Sequence, residues 1–387
     1  MAGAFNAFLV SDIHVGNALP HAVAGPDGVT DRLRDQLAAL RWAFAQADKR
    51  KLSLVCTGDL FDSHLVDTVT LDMVAGALEH APAEGFYVVP GNHDASDQTN
   101  RHFSPMALAR LTKDIEVLDD LHGVEERLPL LGRELVRALP YCKPDAAREF
   151  FAEQAGKDRL LLAHLEVDGF GHGGVWTCTD GLTDAELGMW GAVLTGHFHA
   201  RQLFKSTFGM YAGALCQLKF DDVGKPQGGW EVSWDGEHLG MDFVAYDGPT
   251  FSVQRFTASG LGVEMDKADE VGAKPMETTT FMKLVVSGSP DELAKFEWEL
   301  TRERLVHAGA RRVIFERQPT VTDQAHRLDV DVSAPIEDLV AAYVRHPAVD
   351  TKQLNKERLL RLGVEAVQEA RARMRRQTVS ADEQKGG

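Results

Sequence analysis

Short apolar runs recur through the first half of the chain, and each is followed by a turn with polar side chains. In chain order the runs are AFLV, LVC, FYVV, LLLA and AVLT. Runs of this length, rich in β-branched and apolar residues, are typical of buried strands. In an α/β sheet, ligands collect outside the carboxyl ends of the strands, so we expect these turns to share one crevice.

Segments with helical periodicity separate the strands. Apolar residues recur at helical spacing after Thr30, which predicts a helix over 30–50 with Thr30 as its N-cap. Further helices are predicted at 67–80 and 143–155, and a third lies within the segment 96–112, with Pro105 near its start. Alternation over 116–136 predicts short strands of a second sheet, and strands from 210 through 244 are expected to complete that sheet in a sandwich.

The last third of the chain predicts smaller modules. A turn-rich junction, YDGPT, marks a boundary near 247–250. Strands at 281–287 and 311–315 flank a helix at 290–307, and helices at 336–343 and 356–374 predict a hairpin with an apolar face. The predicted divisions are 1–247, 248–333, 334–376 and a disordered tail at 377–387.

Composition is that of a globular protein outside membranes. Hydrophobic residues make up 44% of the chain and charged residues 26%, and no apolar run approaches the roughly 18–20 residues that span a bilayer. The first residues have no basic region and lead directly into Asp12, so we expect no secretory signal. The four cysteines form no CxxC pair, which favours a reducing cytoplasm.

The polar turns together contain a set of oxygen and imidazole donors. They are Asp12, His14, Asp59, Asn92, His164, His197 and His199. Such donors suit Mn²⁺, Fe²⁺ or Zn²⁺ and suit Ca²⁺ poorly. The set is large enough for two ions, with Asp59 as the bridge. We assign Asp12, His14, Asp59 and His199 to one ion, and Asp59, Asn92, His164 and His197 to the other.

The two residues after Asn92 are candidate catalytic groups. His93 directly follows a ligand, so we expect it to donate a hydrogen bond to a phosphoryl or leaving-group oxygen. Asp94 is expected to orient that imidazole or raise its pKa. Each motif alone is more often structural, but five such motifs at the ends of predicted strands favour a metal centre.

The motifs DIH, GDLFD, GNHD, AHLEVDG and GHFH resemble the signature series of the calcineurin-like metallophosphoesterases. Within that superfamily the chain is similar to SbcD-type DNA repair exonucleases and their tailed-phage recombination relatives, through RALPYC, TGHFHARQ, MYAGALCQLKF and the layout of the last third. The resemblance implies a four-layer α/β sandwich flanked by helices, a small α/β capping domain that guides DNA, and a C-terminal helical hairpin. Some members carry a histidine where this chain has Asp62, so the handling of a DNA end is left open.

The resemblance also implies an activity and partners. It implies a DNA exonuclease and endonuclease that uses two divalent ions, Mn²⁺ first and Mg²⁺, Fe²⁺ or Zn²⁺ as alternatives. The hairpin would bind an SMC-like ATPase of the SbcC type. A homodimer would form through 65–78 or 106–111, although the same apolar stripes are also consistent with core packing. We expect a cytoplasmic location, in a bacterium or an infected host cell, and no membrane partner.

The net charge of −17 opposes DNA binding, which depends on neutralising phosphates. Divalent ions in the site would offset some carboxylates, and basic residues near the crevice could contact phosphates. The candidates are Arg101, Lys143, Arg201, Lys205 and Lys219, for each of which a solvated surface position is the alternative. We therefore expect weak DNA affinity without a partner.

Two other functions compete with the nuclease. The first is a phosphodiesterase or phosphatase acting on small nucleotides or phosphoproteins with the same metals. The long C-terminal third argues against it, because a small substrate needs neither a cap nor partner helices. The second is a scaffold with a vestigial metal site. Such sites typically lose ligands, whereas every expected ligand is present here.

Overall fold

The computed structural model describes residues 4–96, 102–122, 135–171, 177–261, 280–320, 335–345, 355 and 357–365. Contacts within the chain divide it into two compact units. The first comprises Met1–Phe256, Val263–Val285 and Glu297–Glu316, and the second comprises Thr257–Gly262, Val286–Phe296 and Arg317–Gly387. All the residues of the candidate site belong to the first unit.

Strands and helices alternate along most of the chain. The strands are β1 (Phe5–Val10), β2 (Ser53–Cys56), β3 (Phe86–Val88), β4 (Glu116–Val117), β5 (Val136–Leu139), β6 (Leu160–His164), β7 (Ala192–Gly196), β8 (Gln202–Leu203), β9 (Phe208–Tyr211), β10 (Gly228–Trp234), β11 (Leu239–Ala245), β12 (Phe251–Thr257), β13 (Phe281–Gly288) and β14 (Arg312–Pro319). The helices are α1 (Asp31–Arg50), α2 (Thr68–Leu78), α3 (Ser104–Leu111), α4 (Pro144–Gln154), α5 (Asp184–Leu187), α6 (Pro290–Lys295), α7 (Trp298–His307) and α8 (Ile336–Arg345).

Two large sheets carry the fold. The first has the strand order β11-β10-β1-β2-β3-β4. Strands β1 to β4 are parallel, β10 pairs antiparallel with β1, and β11 pairs antiparallel with β10. The second has the order β5-β6-β7-β9-β8, and only β8 runs antiparallel to its neighbour. Parallel strands are usually buried on both faces, which explains the continuous apolar runs in the sequence.

The two sheets pack face to face, and helices cover their outer faces. Alternate residues of β1 illustrate the arrangement: Phe5, Ala7 and Leu9 belong to the core between the sheets, whereas Phe8 and Val10 belong to the core beneath α1, α2 and α3. Helix α4 packs in the same way on the second sheet. The result is four layers, helix–sheet–sheet–helix, and the predicted α/β sandwich is confirmed.

Helix α1 shows how closely the local sequence specifies its element. The side-chain oxygen of Thr30 accepts a hydrogen bond from the Leu33 N–H at 3.2 Å, so the predicted N-cap is confirmed. The helix ends at Arg50 and is followed by the C-cap residue Lys51, whose backbone is left-handed with φ 55°. Lys49 and Arg50 lie in the last turn, where positively charged side chains interact favourably with the negative end of the helix dipole.

Two sheet assignments from the sequence were wrong. Strand β4 was predicted in the second sheet, but it pairs in parallel with β3, with Val88 opposite Val117. Strands β10 and β11 were also expected there, but Phe8 pairs with Glu231 and extends the first sheet instead. The second sheet is completed by β9, which includes the start of the predicted segment 210–220.

The last third contains a three-stranded sheet in the order β12-β13-β14. The single helix predicted at 290–307 is two helices, because Phe296 has an extended backbone with ψ 132°. Helix α8 and the helical residues 357–365 correspond to the predicted hairpin. The rest of its second helix and the tail at 377–387 lie outside the described residues, and the predicted domain boundaries stay predictions. Among the helices searched in the described segments, none combines the length and apolarity needed to cross a bilayer.

Candidate metal centre

Five strand ends bring the predicted ligands together. Asp12 and His14 follow β1, Asp59 follows β2, Asn92 and His93 follow β3, His164 ends β6, and His197 and His199 follow β7. The first sheet thus supplies three loops and the second sheet supplies two. Because the strands of each sheet are parallel, their carboxyl ends meet at one edge, as the sequence predicted.

The loops adopt backbone conformations that cost free energy in side-chain-bearing residues. Asp12, His14, Asp59 and His197 all have positive φ, at 49°, 50°, 50° and 104°. Each such residue costs about 1–3 kcal/mol and persists only where its surroundings fix it. Here the Asp59 carbonyl accepts the N–H groups of Ile13 and His14 at 3.0 and 2.9 Å. The loops after β1 and β2 therefore hold each other in place.

Two motif glycines are required by close contacts with site residues. A Cβ added to Gly91 would lie 2.1 Å from Asp59 Oδ1, and one added to Gly58 would lie 1.8 Å from His164 Nδ1. Gly58 also has φ 111°, which favours glycine. The glycines of the GD and GN motifs are therefore part of the site's geometry.

The first cluster of potential ligands joins Asp12, His14 and His199, whose donor atoms lie within 4.8 Å of one another. His14 Nε2 lies 4.0 Å from Asp12 Oδ1 and 3.6 Å from Asp59 Oδ2. His14 is 4% exposed, and its Nε2 has no hydrogen-bond partner among the described residues. A buried polar atom without a partner is costly, and a bound cation would satisfy it.

The second cluster joins Asp59, Asn92, His164 and His197. Asn92 Oδ1 lies 3.0 Å from His164 Nε2 and 2.9 Å from His197 Nδ1. Asp59 Oδ2 lies 3.3 Å from His164 Nε2. The same oxygen faces His14 in the first cluster, so Asp59 lies between the two sets of donors, as predicted for a bridging ligand.

Charges inside the site favour an ionised Asp59. Burial alone would raise the pKa of this carboxyl, but the imidazoles of His164, His14 and His93 lower it well below its usual range. Burial likewise lowers the pKa of His164, but the Asp59 carboxylate outweighs burial and raises it to about 9. Without a bound cation the two side chains form a buried ion pair, and a cation bound at His164 Nε2 would displace the proton from that nitrogen.

Three of the candidate imidazoles have a second neighbour at their other ring nitrogen, an arrangement that fixes the orientation of metal-binding histidines. His164 Nδ1 lies 2.9 Å from the Thr57 carbonyl, His199 Nδ1 lies 3.2 Å from Asp222 Oδ1, and His197 Nε2 lies 3.5 Å from Glu166 Oε1. His14 Nδ1 lies 3.3 Å from Asp62 Oδ1 but forms no hydrogen bond with the described residues. Sequence reasoning gave none of these outer groups a role. Glu166 could have been found, because it lies within the AHLEVDG motif.

His93 and Asp94 have separate environments. His93 is exposed and lines the cavity, with Nδ1 2.8 Å from the Asp62 carbonyl. The Asp94 carboxylate instead accepts backbone N–H groups of Leu60, Phe61 and Gly91 at 3.0–3.2 Å. Burial and the charge of Asp59 raise the pKa of Asp94 to about 6. The expected pairing of Asp94 with the His93 imidazole was wrong: Asp94 joins the loops after β2 and β3.

The clusters open into a cavity of about 270 Å³. Its lining comprises His14, Leu19, Pro20, Asp59, Asp62, Asn92, His93, His197, His199, Leu218 and Lys219. Of the basic candidates, Lys219 lines this cavity, whereas Arg101 lies outside the described residues.

The other basic candidates are not among the lining residues. Lys143 is exposed before α4, and Lys205 lines a different pocket. The Arg201 guanidinium lies 4.0 Å from the centroid of the Phe243 ring.

Comparison with known proteins identifies the part of the chain that carries this site. A family model described as calcineurin-like phosphoesterase matches residues 6–201. The match includes all five strand ends and every ligand of the two clusters. A search among curated proteins found no match to the chain.

Proposed function

The chain belongs to the calcineurin-like phosphoesterase family, and from this membership we propose that it is a two-metal DNA nuclease. The family hydrolyses phosphoesters with divalent metal ions. In our proposal the substrate is a phosphodiester bond at a DNA end, and the chain is the nuclease subunit of an SbcC/SbcD-type complex. The observation that carries the hydrolase activity is the position of Asp59 Oδ2, which lies 3.6 Å from His14 Nε2 in one cluster and 3.3 Å from His164 Nε2 in the other.

The donor set fits divalent ions. Asp12, His14, Asp59 and His199 would hold one ion, and Asp59, Asn92, His164 and His197 the other. Mixed carboxylate, amide and imidazole donors favour Mn²⁺, and they are also compatible with Fe²⁺ and Zn²⁺. When bound, the ions would activate a water molecule and stabilise charge on the attacking and leaving oxygens. The unsatisfied Nε2 of buried His14 supports the fit.

The protein's own groups hold the ligands and move a proton. Glu166, Asp222 and the Thr57 carbonyl orient the imidazoles of His197, His199 and His164. The His93 Nδ1–H donates to the Asp62 carbonyl, so Nε2 is the ring nitrogen left for a substrate in the cavity that His93 lines. In the protonated ring, Nε2 can give its proton to the leaving oxygen as the phosphodiester breaks. His93 is therefore the proposed general acid.

The part of the chain that follows the family match at residues 6–201 favours DNA over a small substrate. That part carries the sheet β12-β13-β14 and the C-terminal helices, which a small substrate does not need. A Cβ on Gly363 would lie 2.7 Å from Val340 Cγ1, so the two C-terminal helices pack together. Ile336 and Leu362 on these helices are 47% and 51% exposed, which supports a partner such as the SMC-like ATPase.

A homodimer belongs to the same proposal. Leu65, just before α2, is 78% exposed, and Leu111 at the end of α3 is 77% exposed. Large exposed apolar side chains in the two predicted dimer segments support a contact with a second copy. Equilibrium sedimentation of the wild type and of a Leu65→Asp, Leu111→Asp variant tests this contact. A wild-type monomer would remove it from the proposal.

The nuclease assay compares Mn²⁺-dependent degradation of linear duplex DNA with hydrolysis of a cyclic nucleotide, with and without the ATPase. Asp59→Asn is the inactive control. We expect DNA degradation that the ATPase increases. The second candidate, a phosphodiesterase acting on small nucleotides, is favoured by the net charge of −17, which weakens DNA binding. Hydrolysis of the cyclic nucleotide alone would establish that candidate and overturn the nuclease.

A further inference from the structure

Lys219 has a distinct position among the residues around the metal centre. It is the one lysine or arginine among the described residues that line the cavity, a lining that also includes Asp59 and Asp62. Its side chain is partly exposed. Within the described part of the chain, no acidic group forms an ion pair with its ammonium, whereas the neighbouring Lys225 lies 3.5 Å from Asp222. A cation in this position is available to an anionic ligand.

The backbone that carries Lys219 is held from one side by Asp222. The Asp222 Oδ2 accepts the N–H groups of Leu218 and Lys219 at 3.0 and 3.2 Å. The Oδ1 of the same carboxylate faces His199 Nδ1 at 3.2 Å. Asp222 is fully buried. One carboxylate therefore fixes both a proposed metal ligand and the residue that carries the free ammonium.

Arg32 holds the same segment from the other side. Its Nη2 donates to the carbonyls of Gln217 and Leu218, both at 3.2 Å. Arg32 is 1% exposed, and its guanidinium lies about 5 Å from the centroids of the Phe251 and Phe281 rings. These two charge-assisted hydrogen bonds satisfy the buried Nη2 and hold the carbonyls, whereas the buried Nε has no hydrogen-bond partner among the described residues.

We propose that Lys219 binds a non-bridging oxygen of the phosphate that is hydrolysed, and that Asp222 and Arg32 are positioning residues for it. The chemistry is a charge-assisted hydrogen bond from an ammonium whose backbone is fixed on both sides. A lysine provides a point charge, so it can bind any phosphate group in the cavity, whether that group is part of a diester or is the free anion. This inference rests on the proposed phosphoester hydrolysis and adds the residue that recognises the phosphate.

The direct test is binding of inorganic phosphate to the Mn²⁺-loaded protein by calorimetry. We compare the wild type with Lys219→Met, Lys219→Arg and the control Lys49→Met, which removes an exposed lysine near the far end of α1. We expect Lys219→Met to weaken phosphate binding about ten- to hundredfold, as loss of a charged hydrogen bond does, and Lys219→Arg to weaken it less. The control should match the wild type.

Kinetics on bis(p-nitrophenyl) phosphate provide the second readout. The lysine binds the phosphate before and during reaction, so we expect Lys219→Met to raise KM by a similar factor with little change in kcat. If the wild type hydrolyses neither this diester nor DNA, the proposed function falls, and the phosphate titration still decides the role of Lys219. No phosphate binding by the wild type, or equal binding by Lys219→Met, overturns the inference.

A double-mutant cycle tests the part played by Arg32. Arg32→Met should weaken phosphate binding several-fold in the wild-type background and not at all in Lys219→Met, because it acts through Lys219. Arg312→Met is the control, since it removes an ion pair to Asp31 at 2.7 Å in the same region. It should leave phosphate binding unchanged. If the effects of Arg32→Met and Lys219→Met multiply, Arg32 has only a general structural role, and its positioning role is rejected.

Discussion

Replacing Gly91 with alanine tests how tightly the site is built. The added Cβ would lie 2.1 Å from Asp59 Oδ1 and 2.4 Å from the Asp59 nitrogen, whereas an ordinary contact is 3.4 Å or more. Asp59 or the Gly91 loop must therefore move by about 1 Å. Metal ligand distances tolerate only about 0.2 Å, so we expect Mn²⁺ binding to be lost or reduced by orders of magnitude.

The measurement is thermal unfolding with and without Mn²⁺. At a hundredfold excess over Kd, one bound ion stabilises the native state by about 2.7 kcal/mol, which is roughly 5 °C in Tm for a domain of this size. The wild type should show this increase and Gly91→Ala should not. The control is Gly76→Ala in α2, where an added Cβ meets nothing within 4 Å. It should keep the full increase. An undiminished increase in Gly91→Ala would refute the proposed contact.

Three further predictions concern one carboxylate, one helix cap and the buried cysteines. Asp222→Asn should lower Mn²⁺ affinity by roughly 10–100-fold, because the carboxylate next to His199 Nδ1 is lost, and unchanged affinity in a Mn²⁺ titration would contradict this. Thr30→Ala should lower the free energy of unfolding by about 1 kcal/mol in urea, with Thr30→Ser close to the wild type, and equal losses in both would argue against the cap. The four buried cysteines should react slowly with a thiol reagent at pH 8 until the chain is unfolded, because burial raises the pKa of Cys142 and Cys216 to about 12, and a rapidly labelled native thiol would contradict this.

The sequence predicted which donors lie close together because each is near a local signal. Asp12, Asp59 and His164 lie at or within three residues of the ends of β1, β2 and β6, and parallel strands bring such ends to one edge. The N-cap at Thr30 was predictable for the same reason, since its partner is three residues away. Where structure depends on neighbours in the chain, pattern and capping chemistry were sufficient.

Features that depend on distant pairing could not be predicted. The two residues of β4 are too few to show a period, so its sheet was decided by its pairing with β3. The partner of β10 is β1, more than two hundred residues earlier in the chain. Asp222 lies in an acidic pair that resembles solvated surface, and its role appears only when His199 is seen beside it. Asp94 was misassigned because adjacency to His93 says nothing about where each side chain points.

The most direct test of the two-metal centre is an anomalous difference map from crystals grown with Mn²⁺. We expect two peaks about 3.5–4 Å apart, one on each side of the Asp59 carboxylate. One peak should contact His14 and His199, and the other His164 and His197. A single peak, or none among these side chains, would contradict the shared-aspartate centre from which the proposed function follows.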